Sequence, residues 1–216
     1  MNLIDGYFSE KTTGQQLVIA GAGFDALGIE VMEFHPHVKV FELDRDNMSI
    51  KSSIFEELNN GSSKGITLID VDLLNTSAVY RSLAAHGWKP TEPTVLLLEG
   101  ISYYLPADTI QRLVQVIKPG RLILEFLKQD EDIAPDRISI PNEVFGTISR
   151  LCGLSHIRKY NYSQLEQLLS NLSIVTKCSM KRLEELRTGS NRFFPTEDSG
   201  WIEVYSLTGE ERENMV

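Results

Sequence analysis

The stretch VIAGAGFDALG, residues 18–28, joins a short apolar run to a turn that contains two closely spaced glycines. Gly21 and Gly23 lack a β-carbon, so the backbone there can adopt positive φ angles and approach a bound molecule closely. A buried strand, a tight glycine turn and a following helix commonly bind nucleotide-like cofactors. Gly21, Gly23 and Ala26 also satisfy the loose dinucleotide pattern G-x-G-x-x-G/A, although turn geometry alone can produce such a match.

Further apolar runs recur along the chain, with segments of helical spacing between them, and this alternation is typical of βαβ units around a parallel sheet. Strands are predicted at residues 16–20, 38–44, 65–72, 94–100, 120–126, 172–180 and 200–209. The last connection holds only one short helical piece and a long polar loop, so we expect the final strand to return antiparallel beside its predecessor. The prediction is an α/β fold, a Rossmann-like three-layer sandwich with a seven-stranded, mostly parallel sheet.

Helices are predicted in the connections between these strands. They cover residues 47–60, 77–87, 106–120 and 162–172. Pro106 and the pair Pro119-Gly120 mark the two ends of the third helix. In the fourth helix, Ser163 and Glu166 have the spacing of a capping box.

Length and composition limit the class of protein. The 216 residues suit one domain, with a short segment at residues 1–15 and a charged tail at residues 209–216 that we expect to be frayed. The net charge of −9 argues against nucleic acid as a partner. The polar N-terminus lacks an apolar signal core and no window approaches the roughly 20 apolar residues of a membrane span. We therefore expect a cytoplasmic protein that has no membrane partner. The sequence does not indicate its oligomeric state.

Cysteine and histidine give little sign of a metal centre. Cys152 and Cys178 are too few for a disulfide framework or a structural zinc site, and both are expected to be small buried residues. His35 and His37 flank a proline in a spacing that can seat a metal, but no further ligand is apparent, so we expect loop residues and no bound metal.

The ends of the predicted strands carry an unusual set of residues for a cofactor site. Ligands of open parallel sheets lie outside the carboxyl ends of the strands. The first four ends carry Gly21-Ala22-Gly23, Glu42 with Asp44, Asp72 with Leu73, and Glu99-Gly100.

Each of these acids can meet one part of a particular cofactor. Asp44 at the end of the second strand can accept from both ribose hydroxyls, and Glu42 on the same face is the alternative. Asp72 can accept from an adenine amino group while the Leu73 backbone donates to the ring. Glu99 can hold an ammonium group. This combination favours S-adenosylmethionine, because several carboxylates would repel the pyrophosphate of a dinucleotide.

The sequence resembles the leucine carboxyl methyltransferase family of S-adenosylmethionine-dependent O-methyltransferases. This family includes the enzyme that methylates the C-terminal leucine of a phosphatase catalytic subunit. The similar stretches are VIAGAGFDALG, VFELDRD, VDLLN and EPTVLLLEGISYYLP, from about Val18 to Pro106. The resemblance implies the class I methyltransferase fold with the last strand antiparallel.

The resemblance also implies roles for individual residues. Gly21 lies against the methionine part, Asp44 binds ribose, Asp72 and Leu73 hold adenine, and Glu99 lies near the methionine amino group. Family members usually carry a longer N-terminal helical region whose arginine grips the cofactor carboxylate.

Here Glu10 stands where that arginine is expected, and the adjacent Lys11 is the candidate substitute. Because of these departures, the specificity for a terminal leucine is not carried over. Residues beyond about 130 resemble the family only loosely.

The acceptor side is less well defined by the sequence. Tyr103 and Tyr104 follow Glu99, and Tyr104 is the candidate wall for substrate or cofactor, with plain packing as the alternative. A carboxylate acceptor needs no general base, whereas a hydroxyl acceptor would need one, for which histidine is the usual residue. His156 lies beside Arg158 and Lys159 in a cluster that can bind an anionic substrate or simply face solvent.

The sequence therefore predicts an S-adenosylmethionine-dependent methyltransferase that acts on a carboxylate or hydroxyl of a small molecule or protein. An NAD-dependent oxidoreductase is the first alternative, since it can share the same opening turn. A relative of the methyltransferases that binds cofactor or a partner without catalysis is the second.

Overall fold

The computed structural model describes Ile4, Tyr7, Phe8 and residues 15–58, 65–154 and 156–209. Glu10, Lys11 and the charged tail after Gly209 lie outside these residues, so the expectations for them have no structural counterpart here.

The described residues form one seven-stranded mixed sheet flanked by helices, in agreement with the predicted fold class. Its strands are β1 (Gln16–Ala20), β2 (Lys39–Asp44), β3 (Ile66–Asp70), β4 (Thr94–Leu98), β5 (Arg121–Leu127), β6 (Leu172–Ser179) and β7 (Ile202–Gly209). The strand order is β3-β2-β1-β4-β5-β7-β6. β7 lies between β5 and β6 and runs antiparallel to both, so the prediction of an antiparallel final strand is confirmed.

The helices connect the strands along both faces of the sheet. They are α1 (Leu27–Phe34), α2 (Met48–Leu58), α3 (Thr76–Ala85), α4 (Ala107–Ile117), α5 (Ser139–Cys152), α6 (Tyr162–Leu168) and α7 (Met180–Thr188). None of the helices in the described part of the chain has both the length and the apolar character that crossing a bilayer requires.

The core consists of two layers because alternate side chains of each strand point to opposite faces. On one face, Leu96 and Leu98 of β4 pack in a cluster with Leu113 of α4. On the other face, Leu97 of the same strand joins a cluster with Val31 of α1. Every residue of β1 and of β4 is buried, as expected for strands that are covered on both sides.

Two local expectations need correction, and one helix was not predicted. The helix that was not predicted is α5. The capping box of α6 is formed by Asn161 and Gln164, two residues before the predicted pair, because the Asn161 side chain accepts from the Gln164 amide at 2.9 Å. Cys152 is exposed at the end of α5, whereas Cys178 is buried as expected.

The strand register aligns the four ends that carry the candidate cofactor residues. Ile19 of β1 is level with Leu97 of β4, and Ala20 of β1 is level with Leu43 of β2. Asp44 of β2 is in turn level with Asp70 of β3. The first residues after these strands therefore emerge along one edge of the sheet.

Candidate functional site

The glycine turn after β1 is held close to β2 by backbone hydrogen bonds. The amides of Gly21 and Ala22 both donate to the Leu43 carbonyl oxygen, at 2.8 and 3.0 Å. Gly21 and Gly23 have φ angles of +79° and +46°. A β-carbon on Gly21 would lie 2.7 Å from the Ile101 side chain. Both the conformation and the space therefore require glycine at position 21.

Asp44 lies directly beneath this turn at the end of β2. One of its carboxylate oxygens accepts from the Gly23 amide at 2.6 Å, and the other accepts from the Arg45 amide at 2.6 Å. A carboxylate oxygen has two lone pairs, so each oxygen can still accept from a ligand hydroxyl. The half-buried Asp44 thus combines a fixed orientation with the capacity to bind a diol.

Glu42 lies in a different environment from Asp44, although both side chains point to the same face. Its side chain is 1% exposed and forms an ion pair with Lys51 of α2, which is also 1% exposed, at 2.5 Å. Burial raises the pKa of the Glu42 carboxyl, and Lys51 partly opposes this rise. Lys51 also donates to the Ala22 carbonyl oxygen at 3.4 Å. Glu42 therefore supports the turn from below, and Asp44 is the acid at the open end of the strand.

Asp72 closes the turn between β3 and α3. One of its oxygens accepts from the Leu74 amide at 2.9 Å, and the other lies 3.7 Å from the Arg45 guanidinium. The neighbouring Leu73 side chain is buried in the core. Asp72 is thereby placed on the same edge of the sheet as Asp44, which the predicted adenine contact requires.

Two glutamates lie side by side on neighbouring strands, Glu99 just after β4 and Glu125 within β5. Glu125 accepts from the Gly100 amide at 3.2 Å and from the Tyr103 hydroxyl at 3.3 Å. Desolvation raises the pKa of Glu125, and the nearby Glu99 carboxylate raises it further. The pKa of Glu99 is also raised, first by desolvation and then by Asp25. A cation bound between these two carboxyls would favour their ionised forms, because a nearby opposite charge lowers the pKa of a carboxyl.

Glu125 was not among the candidate residues from the sequence. It is the single acid inside the otherwise apolar run LILEFL, residues 122–127, and this feature could have marked it as a candidate residue. Its importance depends on the pairing of β4 with β5, which the sequence does not state.

Asp25 and a small cavity complete the region below the turn. Asp25 accepts from the Leu27 amide at 2.8 Å and so fixes the start of α1. Between Gly21, Asp25, Glu42 and Glu99 lies a cavity of about 30 Å³. This volume suits a single water molecule.

An aromatic wall borders the acidic pair. Tyr103 and Tyr104 belong to a short 3₁₀ helix, Ser102–Tyr104, and their rings meet edge to face at 4.7 Å. The Phe145 ring of α5 packs against Tyr103 at 5.0 Å. Desolvation raises the pKa of both tyrosines. α5 thus covers the side of the site where the sequence predicted the acceptor, and Tyr104 is half-buried in that wall.

Histidines occupy other parts of the fold. His35, expected in a loop, follows α1 but is buried, with its ring 5.7 Å from Phe8. His86 ends α3, where its Nδ1 lies 2.8 Å from the Ser82 carbonyl oxygen, at the opposite edge of the sheet. In the described residues, no group of three or more potential ligands is arranged to hold a metal ion.

Comparison with other proteins identifies relatives that are similar to part of this chain. The chain is 31% identical over 102 residues to a Frankia alni protein and 30% identical over 133 residues to a Streptomyces coelicolor protein. Both relatives are assigned by name as S-adenosyl-L-methionine-dependent methyltransferases. The matches cover 47% and 58% of this chain, but only 35% and 42% of the relatives, so the chain spans less than half of their length.

Solved structures share the fold at low sequence identity. A DUF574 family protein from Streptomyces avermitilis superposes with a TM-score of 0.70 at 15% identity, covering 96% of this chain and 80% of that one. Magnesium protoporphyrin IX methyltransferase from Synechocystis, solved with bound S-adenosylmethionine, gives a TM-score of 0.54 at 14% identity, with 96% and 77% covered.

The family profile named leucine carboxyl methyltransferase matches residues 1–118, which include the glycine turn and all four strand ends described above. The match covers more than half of the chain. The chain belongs to the leucine carboxyl methyltransferase family.

Proposed function

We propose that the protein is an S-adenosylmethionine-dependent methyltransferase. The observation that carries this proposal is the alignment of four strand ends, which places the glycine turn, Asp44, Asp72 and Glu99 along one edge of the sheet. The names of the relatives and the fold shared with methyltransferases support it.

The cofactor would lie across the glycine turn with its adenosine toward β3. In this arrangement Asp44 accepts from the ribose hydroxyls, and Asp72 and the Leu73 backbone hold the adenine. Glu99 and Glu125 attract the methionine ammonium group, because two partly desolvated carboxylates favour a cation.

The methionine carboxylate needs a cationic partner as well. For that contact we propose Lys11, which precedes β1 in the chain. The Gly21-Ala22-Gly23 turn and Gly100 complete the binding surface. Glycine has no side chain and alanine only a methyl group, so the backbone there can approach the ligand closely.

The reaction that this site supports is an in-line displacement. The acceptor oxygen forms a bond to the methyl carbon while the carbon–sulfur bond breaks, and the sulfonium electron pair returns to sulfur as a neutral thioether. The protein mainly aligns the two reactants and excludes water. Tyr103, Tyr104 and α5 form the wall that would do so, with Tyr104 as the proposed contact.

We propose an oxygen acceptor, either a carboxylate or a hydroxyl, on a small molecule or a protein. A carboxylate is already ionised at neutral pH and needs no general base. A hydroxyl would need one, and the acids of the site, with their raised pKa values, are better placed for proton transfer than His86 at the opposite edge.

Calorimetric titration with S-adenosylhomocysteine and with NADH tests the proposal. We expect the first ligand to bind and the second not to bind. The Asp44→Ala variant should lose about 1.5–3 kcal/mol of binding free energy, because charged hydrogen bonds to ribose are removed. Asp46→Asn is the matched control, since Asp46 is exposed nearby and Asn also tolerates its positive φ of 74°.

Other outcomes decide between the alternatives. Binding of NADH in place of S-adenosylhomocysteine would indicate an oxidoreductase. If the cofactor binds but incubation with labelled S-adenosylmethionine and broad cell extracts labels no acceptor, the protein is a non-catalytic binding relative.

A further inference from the structure

A second opening lies away from the glycine turn, between α4, α6 and the extended segment 156–160. Its volume is about 720 Å³. Three basic and three amide side chains line it, namely His156, Arg158, Lys159, Gln111, Gln164 and Gln167. Its described lining contains no carboxylate, although the chain as a whole has a net charge of −9. We call this opening the basic groove.

The positive charges of the basic groove are not equally available. Lys159 is held by Asp130 at 2.5 Å and by Asn142 at 2.7 Å. The half-buried Arg158 guanidinium has no hydrogen bond or ion pair with any residue that the structure describes. Arg158 therefore carries the uncompensated charge of the groove, and its planar donors match a carboxylate or a phosphate.

Neutral donors in the groove are also unused. Tyr160 is only 5% exposed, and its hydroxyl is buried with no hydrogen-bond partner in the described structure. Buried hydroxyls are nearly always hydrogen-bonded, so a water molecule or a ligand atom would supply the partner of this one. Gln111 and Gln167 likewise form no side-chain hydrogen bonds within the described ranges. The lining is thus equipped for a polar ligand.

The position of the basic groove connects it to the aromatic wall. The Arg158 amide donates to the Tyr103 carbonyl oxygen at 2.9 Å, and the Tyr160 amide donates to the Leu127 carbonyl oxygen at 2.8 Å. Leu127 is the last residue of β5, two residues beyond Glu125. The segment 156–160 that lines the groove is therefore attached to the aromatic wall, on the side where methyl transfer is proposed.

We propose that the basic groove binds an anionic group, a carboxylate or a phosphate, of the methyl acceptor, with Arg158 as its main contact. This inference rests on the proposed function for the identity of the ligand as acceptor. It restricts the acceptor to elongated polar molecules that carry an anionic group at a distance from the oxygen that is methylated.

Nuclear magnetic resonance titration with inorganic phosphate and, separately, acetate tests the anion site directly. In the wild type we expect saturable shifts of the backbone signals of residues 156–160 with at least one of the two ions. The Arg158→Gln variant should bind that ion about tenfold more weakly or worse, because a charged hydrogen-bond donor is removed. The control is Arg81→Gln, which removes the same charge from an exposed position on α3.

Saturation by phosphate alone would assign a phosphate-bearing acceptor, and saturation by acetate alone a carboxylate-bearing one. The inference is overturned if neither ion shifts these signals, or if Arg158→Gln and Arg81→Gln weaken binding equally.

Titration of the same variants with S-adenosylhomocysteine separates the two proposals. Arg158→Gln should bind this ligand as the wild type does, since Arg158 lies outside the proposed cofactor site. If the wild type binds the ion but not S-adenosylhomocysteine, the proposed function fails while the anion site remains.

Discussion

Lys51 shows how one buried side chain can hold the glycine turn in place. It is 1% exposed, pairs with Glu42 at 2.5 Å and reaches the Ala22 carbonyl oxygen. Gly28 of α1 is essential to this packing, because a β-carbon there would collide with a Glu42 carboxylate oxygen. The acid of β2, the base of α2 and the glycine of α1 therefore depend on one another.

We predict that Lys51→Met is strongly destabilising, by about 3–5 kcal/mol, because it leaves the buried Glu42 carboxyl without its partner. Urea unfolding followed by circular dichroism measures this loss. The control is Lys89→Met, which breaks the 2.6 Å pair of Lys89 with Glu92 in a more exposed position and should cost less than about 1 kcal/mol.

A second variant separates the charge from the packing. Adding Glu42→Gln to Lys51→Met should recover part of the lost stability, since the unpaired acid is gone. A Lys51→Met protein that unfolds at the urea concentration of the wild type would contradict this account.

At the scale of elements, α5 forms a cover whose stability comes from contacts outside itself. Phe145 is buried against Tyr103, and the partly buried Ile148 and Ile157 pack on the same cluster. By contrast Val144, its neighbour on the helix, is 49% exposed. One face of α5 therefore attaches it to the aromatic wall.

We predict that Phe145→Ala costs about 3 kcal/mol or more, since it leaves a cavity beside Tyr103. Hydrogen exchange should become faster in residues 102–104 and in α5, while β1 and β4 keep their protection. Val144→Ala, on the exposed side, should change stability by less than about 0.5 kcal/mol. Uniformly faster exchange in all strands would show that α5 is not a separate cover.

A helix or strand could be predicted from the sequence where the residues that determine it lie close together in the chain. β1 and β4 were predicted because continuous apolar runs bounded by glycine or proline identify strands buried on both faces. α5 was missed because its first turn is polar and contains Pro141, Gly146 interrupts its middle, and its burial depends on the distant Tyr103.

The same reasoning explains which parts of the candidate site could be predicted from the sequence. The positions of Asp44 and Asp72 at this edge of the sheet could be predicted, because each lies at or just after the end of its own strand. The Glu42–Lys51 pair and the contact of Glu125 with Gly100 depend on which elements pack together, and no periodicity within one segment shows that.

At the scale of the whole molecule, the family match separates the chain into two parts. The family match ends at residue 118, after the strands that carry the proposed cofactor contacts. The remaining elements, including α5 and the segment 156–160, build the wall and the basic groove. The proposed cofactor contacts thus lie in the part of the chain that matches the family, and the proposed acceptor side lies mostly outside that part.

The acidic pair connects this site to the stability of the whole molecule. The folded protein holds the pKa of Glu125 above its usual value, so it favours the protonated carboxyl. The resulting stabilisation is complete below the unfolded-state pKa of about 4.3 and is lost as the pH rises through the folded-state pKa. As the pH rises above the unfolded-state pKa, the raised pKa of Glu125 therefore lowers the stability of the fold.

We predict that Glu125→Gln melts at a higher temperature than the wild type at pH 8 and at the same temperature below about pH 4, because glutamine keeps the acceptor oxygen but carries no charge. Glu143→Gln, which removes an acid from the exposed side of α5, is the control for net charge and should show no such pH dependence. Differential scanning calorimetry across this pH range makes the comparison.

Saturating S-adenosylhomocysteine should stabilise the wild type more than Glu125→Gln at pH 8, since the ammonium group of this ligand compensates the paired carboxylates. If Glu125→Gln is instead less stable at every pH and gains as much from the ligand, Glu125 serves only to hold the turn after β4, and the cation-binding role falls to Glu99 alone.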